Sequence, residues 1–171
     1  VSKLISFDVS SVSTGWAIFE NKKLIDFGKI IIDKKYTVQE RLFYFKKNIE
    51  FLLITYLPSV VLVEETYLRN VMTLKTLVQF MTIVNIVSFE ILHLPLILIN
   101  PNTVRSYYNV KTKEEAFDYV KNRYKAKFKK YNFNNGNDIT DAVLQGIYWL
   151  EGRNDEEDKK SKKKDKKSIR K

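Results

Sequence analysis

The stretch "ISFDVSSVSTGWAIFE", residues 5–20, is an apolar run that stops on one aspartate, Asp8, passes through Ser, Thr and Gly, and re-enters an apolar run. Its pattern is that of two strands joined by a short turn. A carboxylate at the end of a buried strand costs free energy unless it is paired, hydrogen-bonded or bound to a cation. The rest of the chain must therefore supply a partner for Asp8.

The chain of 171 residues suits one domain with a full core. Hydrophobic residues make up 44%, as in globular proteins, and the net charge of +10 invites an anionic partner such as nucleic acid or an acidic membrane surface. There is no cysteine, which excludes disulfides, thiol nucleophiles and Cys zinc sites. The single histidine, His93, sits in "EILHLPL", apolar company that fits a core or interface residue better than a ligand. A His-based triad is thereby disfavoured. No basic-then-apolar segment opens the sequence, and the longest apolar segment, 71–92, is interrupted by Lys75, Gln79, Asn85 and Glu90. The expectation is an intracellular protein with no membrane span.

Outward from residues 5–20 the hydrophobic period changes several times. Residues 3–8, 14–20 and 23–32 read as three strands, with "ENKK" as a hairpin turn between the last two. Val38, Leu42, Phe45, Ile49 and Leu52/Leu53 have the spacing of an amphipathic helix that Pro58 ends. "SVVLVEE" (59–65) is a buried-strand run, and 71–92 a long helix with 14 of 22 residues apolar, more than one buried face requires. A partner subunit would account for the surplus. "PLILIN" reads as a further strand, 112–128 as a basic helix, and 138–151 as a last helix with Ile139, Ala142, Val143, Ile147 and Leu150 on its apolar face. The order predicts an α/β fold: a mixed five-stranded sheet, antiparallel at first and then parallel, flanked by helices. Residues 1–153 form this domain. Residues 154–171 hold nine Lys/Arg against five Asp/Glu and one apolar residue, a charged tail with too little apolar surface to order itself. That tail reads either as a solvated extension or as a mobile arm adding salt-sensitive DNA affinity.

Most acidic residues fall in loops or on helix surfaces. Asp8 instead ends the first strand, Glu64 and Glu65 end the fourth, and Asp138 and Asp141 lie three apart at the start of the last helix, on one face. Each has a plain structural alternative: Asp8 capping the following turn, Asp138 as an N-cap, Asp141 favoured by the helix dipole. Converging at one sheet edge, they would repel and have raised pKa values unless divalent cations neutralised them. Oxygen-only ligands suit Mg²⁺ or Mn²⁺, and two such ions about 3.5–4 Å apart serve phosphodiester cleavage. Of the two glutamates only one can point inward, because adjacent strand residues face opposite sides.

Three motifs in order, "FDVSSVSTGWAI", "VLVEETY" and "NDITDAVLQGIYW", resemble the RuvC family of Holliday junction resolvases within the ribonuclease H-like superfamily. The resemblance spans about residues 3–150. It implies a ribonuclease H-like fold and two Mg²⁺ or Mn²⁺ ions per site, held by Asp8, Glu64, Asp138 and Asp141 as the catalytic carboxylates. Glu64 is preferred because Tyr67 then falls three later, where the family has an aromatic wedge; Glu65 is the fallback. "NVMTLKTLVQF" resembles the start of the family's dimer helix, implying a homodimer. "NPNTVRSYYNVKTKEEA" resembles the basic region lining the DNA cleft, so Arg105, Lys111 and Lys113, with Tyr67 and Arg69, are the implied DNA contacts. The family often has Gly where Ser10 stands. The implied activity is paired nicking of four-way junctions in the cytoplasm of a bacterium or phage-infected host.

Three alternative readings remain. The Asp8 turn is also similar to the phosphate hairpin of actin and sugar-kinase ATPases, but those need two large lobes that 171 residues cannot supply. A monomeric nuclease on RNA–DNA hybrids would need a less apolar helix at 71–92. A DNA-binding protein without cleavage would be expected to have lost a carboxylate.

Overall fold

The computed structural model describes residues 2–65 and 71–168, and the side chains of all of these except Met72 and 153–168. Three antiparallel strands open the chain: β1 (Lys3–Asp8), β2 (Ser13–Glu20) and β3 (Lys23–Ile31). The β2–β3 turn is made by Asn21 and Lys22, both left-handed with φ of 49° and 67°. Two successive left-handed residues give the hairpin turn whose twist matches its flanking strands. Helix α1 (Val38–Tyr56) starts in a capping box: Thr37 Oγ1 accepts from the Glu40 amide and Glu40 Oε2 accepts from the Thr37 amide. It ends at Leu57, which is left-handed, just before Pro58.

Strand β4 (Val60–Glu64), helix α2 (Val71–Leu92) and strand β5 (Ile97–Ile99) follow. The sheet order is β3-β2-β1-β4-β5, with β1–β4 and β4–β5 parallel. This is the mixed five-stranded sheet that the sequence predicts. Alternation along each strand sends Ile5, Phe7, Ile18, Val61 and Val63 to one face, where Phe45, Ile49 and Leu53 of α1 and Phe80 and Val84 of α2 cover them. Leu4, Ala17, Phe19 and Leu62 go to the other face, under Ile139, Val143 and Ile147 of the last helix.

Thr73–Leu92 is long and apolar enough to cross a membrane by length and mean hydropathy. Here its inner face packs on α1 and the sheet through Phe80, Val84 and Val87, which are fully buried. Val78, Ile86 and Phe89 remain exposed on its outer face. The apolar surplus counted in the sequence therefore lies on the surface. His93 is not in the core: it is exposed at the end of α2, left-handed at φ 55°, with its ring edge-on to Phe89.

After β5 come α3 (Pro101–Tyr107), α4 (Lys113–Arg123), α5 (Lys125–Phe128) and α6 (Phe133–Ser168). Pro101 takes the first position of α3, and Asn100 caps it by accepting from the Asn102 and Thr103 amides. The single helix expected over 112–128 is broken at Tyr124, whose ψ of 44° is not helical. The break turns the chain so that Phe128, fully buried, stacks on Phe27 at 4.6 Å.

The last helix begins at Phe133, five residues earlier than expected, so Asp138 is interior and not its N-cap. The backbone stays helical through 154–168.

Gly15 sets how closely α6 approaches the sheet. A Cβ there would meet the Asp138 carbonyl and the Ile139 nitrogen, the latter at 2.8 Å, and these are backbone atoms that cannot swing aside. Gly15→Ala is expected to lower stability by about 1–3 kcal/mol, read as a lower urea midpoint. An unchanged midpoint would mean that α6 is free to lift from β2.

Candidate active site

Asp8 is the last residue of β1 and Glu64 the last of β4. The parallel register pairs Phe7 with Val63, so the next step along both strands sets Asp8 beside Glu64. Alternation places Ser6 and Asp8 on the α6 face, and Leu62 and Glu64 with them. Glu65, one residue on, belongs to the opposite side; its amide donates to the Ile99 carbonyl at 2.8 Å. Glu64 is thus the glutamate brought to Asp8.

Helix α6 delivers the other two carboxylates. It is fixed over the sheet by the close approach at Gly15 and by Ser6 Oγ, which donates to the Ala142 carbonyl at 2.6 Å. Asp138 and Asp141 face the strand ends, with Asp141 only 5% exposed. The two differ in company. Asp138 Oδ2 accepts from Ser13 Oγ at 2.6 Å and from Lys29 Nζ at 3.2 Å. Asp141 Oδ2 is buried without a hydrogen bond; the Lys113 ammonium lies 2.9 Å away, outside hydrogen-bond geometry.

The electrostatics follow from this crowding. Burial, then the Glu64 and Asp141 charges, push Asp8 well above the usual carboxylate range, against a weaker opposing pull from Lys113. Glu64 is pushed up to about 7 by burial and by Asp141, with Lys113, Arg105 and the hydrogen bond from Gln145 acting against the rise. Asp141 is raised by burial although Lys113 and Arg105 pull it down. Burial disfavours the Lys113 charge, yet Asp141, Asp8 and Glu64 together hold its pKa up at about 12.

Asp8 does not cap its turn: no hydrogen bond reaches its carboxylate from the turn among the described residues. Ser10 and Thr14 close that turn instead. The Ser10 amide donates to Thr14 Oγ1 at 3.0 Å, Thr14 Oγ1 donates to the Ser10 carbonyl at 2.9 Å, and Ser10 Oγ accepts from the Val12 amide at 3.3 Å. Ser10 is not among the left-handed residues, so the turn needs no glycine at that position.

Of the basic candidates, Arg105 in the last turn of α3 and Lys113 at the start of α4 stand with the carboxylates. Lys111 does not: it is exposed, and its amide donates to Glu115 Oε2 at 2.6 Å. Tyr67 and Arg69 lie outside the described residues. Three further residues belong to the site. Gln145 Nε2 donates to Glu64 Oε2 at 3.1 Å, and Ser13 and Lys29 hold Asp138. Gln145 lies four residues after Asp141, a helical spacing that could have exposed it. Lys29 is placed by the β2–β3 register, which pairs it with Gly15 and leaves no local signal.

Among the described residues no three Asp, Glu, His or Cys side chains stand close enough to enclose a cation in this geometry. The donor set is nevertheless one of hard oxygens only, and the buried Asp141 Oδ2 already takes up a positive charge, the Lys113 ammonium at 2.9 Å.

The structure resembles Thermus thermophilus RuvC in complex with a Holliday junction substrate, at a TM-score of 0.71 over 89% of this chain and 97% of that one, with 17% identity. The fold is that of RuvC. A second structure of Thermus thermophilus RuvC matches at 0.70 with 17% identity, over 88% of this chain and 96% of that one. The yeast mitochondrial Holliday junction resolvase matches at 0.64 with 14% identity, over 87% and 78%. No protein-family model and no curated protein matches the sequence. On the RuvC fold the four carboxylates here stand at the ends of two central strands and on the helix that crosses them.

The raised carboxylates make the metal-free protein pH-sensitive. Glu64 holds its proton up to about pH 7 in the folded state but releases it near 4.5 when unfolded, so between these values the native state binds more protons. Stability must then fall as pH rises through that window. We expect a cost of about 1–3 kcal/mol by pH 8, seen as a lower melting temperature in EDTA at pH 8 than at pH 5. Glu64→Gln should flatten the profile, and an equally steep one would remove Glu64 from the cluster.

Proposed function

We propose that this chain is a structure-specific endonuclease of branched DNA that resolves four-way junctions by paired nicks, using divalent cations and acting as a homodimer. The observation that carries the reading is the buried, mutually repelling set of Asp8, Glu64 and Asp141 on a RuvC fold, flanked by Arg105 and Lys113. Carboxylates held this way have a use only where positive charge arrives. The junction bound by Thermus thermophilus RuvC and a net charge of +10 support DNA as the substrate.

Asp8, Glu64, Asp141 and Asp138 are the residues to hold Mg²⁺ or Mn²⁺. Such ions supply Lewis-acid polarisation of the scissile phosphate and activation of water. The chain's own residues do the positioning. Gln145 fixes the Glu64 carboxylate through its amide, and Ser13 and Lys29 fix Asp138. Lys113 neutralises the cluster in the metal-free state, and its exposed stem lets the ammonium turn from Asp141 to a substrate phosphate. Arg105 offers a second cation on the same side. The outer face of α2, with Val78, Ile86 and Phe89, would meet the same face of a second copy, so that a twofold axis relates two sites acting on two strands. Tyr67 and Arg69 follow β4 closely in sequence and are assigned to the crossover, where an aromatic stacks on an unpaired base.

The test is a cleavage assay on a labelled four-way junction beside matched linear duplex and RNA–DNA hybrid, with Mg²⁺ and with EDTA. Paired nicks confined to the junction and absent in EDTA are expected, with Asp8→Asn binding the junction as tightly but cutting at least about a thousandfold more slowly. Cleavage of the hybrid alone would make the protein a ribonuclease H. A solution mass is expected to be that of a dimer at micromolar concentration; a monomer would remove the paired-nick mechanism.

A further inference from the structure

Arg41 is a cation without an anion. It closes the first turn of α1, and its Nη1 donates to the Ser11 carbonyl at 3.2 Å. Its Nε is buried with no hydrogen-bond partner, and among the described residues no carboxylate is within ion-pair distance of its guanidinium. A half-buried guanidinium of this kind costs free energy that a bound anion would recover.

The side chain lines a groove of about 520 Å³, together with Ser10 and Ser11 of the β1–β2 loop and Thr73, Thr76 and Leu77 of α2. The loop leaves directly from Asp8, and the groove begins at the next residue, Val9. The Ser11 hydroxyl has no protein partner among the described residues. A planar guanidinium flanked by hydroxyls matches a tetrahedral oxyanion, which can take two parallel N–H donors from the fork at once. Among the described residues no acidic side chain lines the groove. Its polar lining favours an anion, while the neighbouring cluster repels one unless cations are bound there.

We propose that this groove is a subsite for one backbone phosphate of the DNA strand, flanking the phosphate to be cut, with Arg41 as its principal ligand. The assignment rests on the branched-DNA reading. It gives the strand two anchors: Lys113 and Arg105 on the α3–α4 side of the carboxylates, and Arg41 on the α1–α2 side. Arg41 is a binding and positioning residue; it touches no reacting atom.

The experiment is junction binding by the 171-residue chain in EDTA, followed by fluorescence anisotropy over a series of salt concentrations. Arg41→Gln should bind about tenfold more weakly at low salt and lose about one unit of the salt slope. Arg41→Lys should regain the slope but only part of the affinity, because charge returns without the fork. The decisive arm uses junctions carrying a single neutral methylphosphonate at successive positions. One position beside the cleavage site should weaken the wild-type chain and be silent in Arg41→Gln, and also in Arg41→Lys to a smaller degree. Such position-specific coupling would not arise from a structural role of the Arg41–Ser11 contact. Equal losses at every position in wild type and variant would overturn the subsite, as would an unchanged salt slope. If Arg41→Gln fails to fold, the same scan with Arg41→Lys decides the matter. Wild-type chain that binds linear duplex as well as the junction, yet retains the coupling on either, would overturn the branched-DNA reading and leave the subsite standing.

Discussion

Everything at the site depends on one constraint, the parallel register that sets Asp8 beside Glu64 at the ends of β1 and β4. Two carboxylates at neighbouring strand ends repel, and Asp141 of α6 adds a third charge. Nothing local favours this arrangement. It is held by the core on the same face, where Leu4, Ala17 and Leu62 pack under Ile139, Val143 and Ile147, and by the Ser6–Ala142 hydrogen bond. Gly15 completes the constraint, since any side chain there would push the Asp138 turn of α6 off the sheet. Packing of this size, at about 1.5–3 kcal/mol for each buried aliphatic side chain, exceeds the repulsion it opposes.

The cluster divides into two environments. Asp138 is neutralised by a lysine and a hydroxyl, both from the antiparallel half of the sheet. Asp8, Glu64 and Asp141 share one half-exposed lysine, Lys113, and Arg105 acts on Glu64 and Asp141, both cations coming from the segment that follows the sheet. That segment is anchored by α4, capped at Thr112 and packed on α6 through Ala116 and Val120. The cations are thus carried on two short helices, apart from the strands that carry Asp8 and Glu64.

The strands and most helices were legible because each buries one face and so shows its period in the sequence. The choice between Glu64 and Glu65 was half legible: alternation says that only one points inward, but which one depends on the β1–β4 register, a long-range property. Asp138 as an N-cap failed because the helix starts at Phe133, where no apolar stripe announces it. The break at Tyr124 was hidden because the basic residues on either side have good helix propensity; the demand of Phe128 for the core overrides it. Lys29 was invisible for want of any local pattern, its role arising only when β3 lies across β2 from α6. The Lys113–Asp141 ion pair was not legible either, since it joins two helices 28 residues apart in sequence. The backbone over 154–168 is helical, a local conformation that its lack of apolar residues did not announce.

The two faces of the sheet do different work. The α6 face carries the charged cluster at its edge, and any surface it shares with a partner must be polar. The α1–α2 face is mostly apolar: Phe45, Phe80 and Val84 are buried inside it, and Val78, Ile86 and Phe89 are left outside. A helix needs only one apolar stripe to pack on its own sheet, so the second stripe has no use within the chain. Arg41 stands where the two faces meet, on the apolar-side helix but beside the loop that leaves Asp8. A cation there would be a fault in a helix that served the core alone. It fits a protein in which the strand to be cut runs from the carboxylates toward the second apolar stripe, so that a phosphate on that path explains the arginine and the groove together.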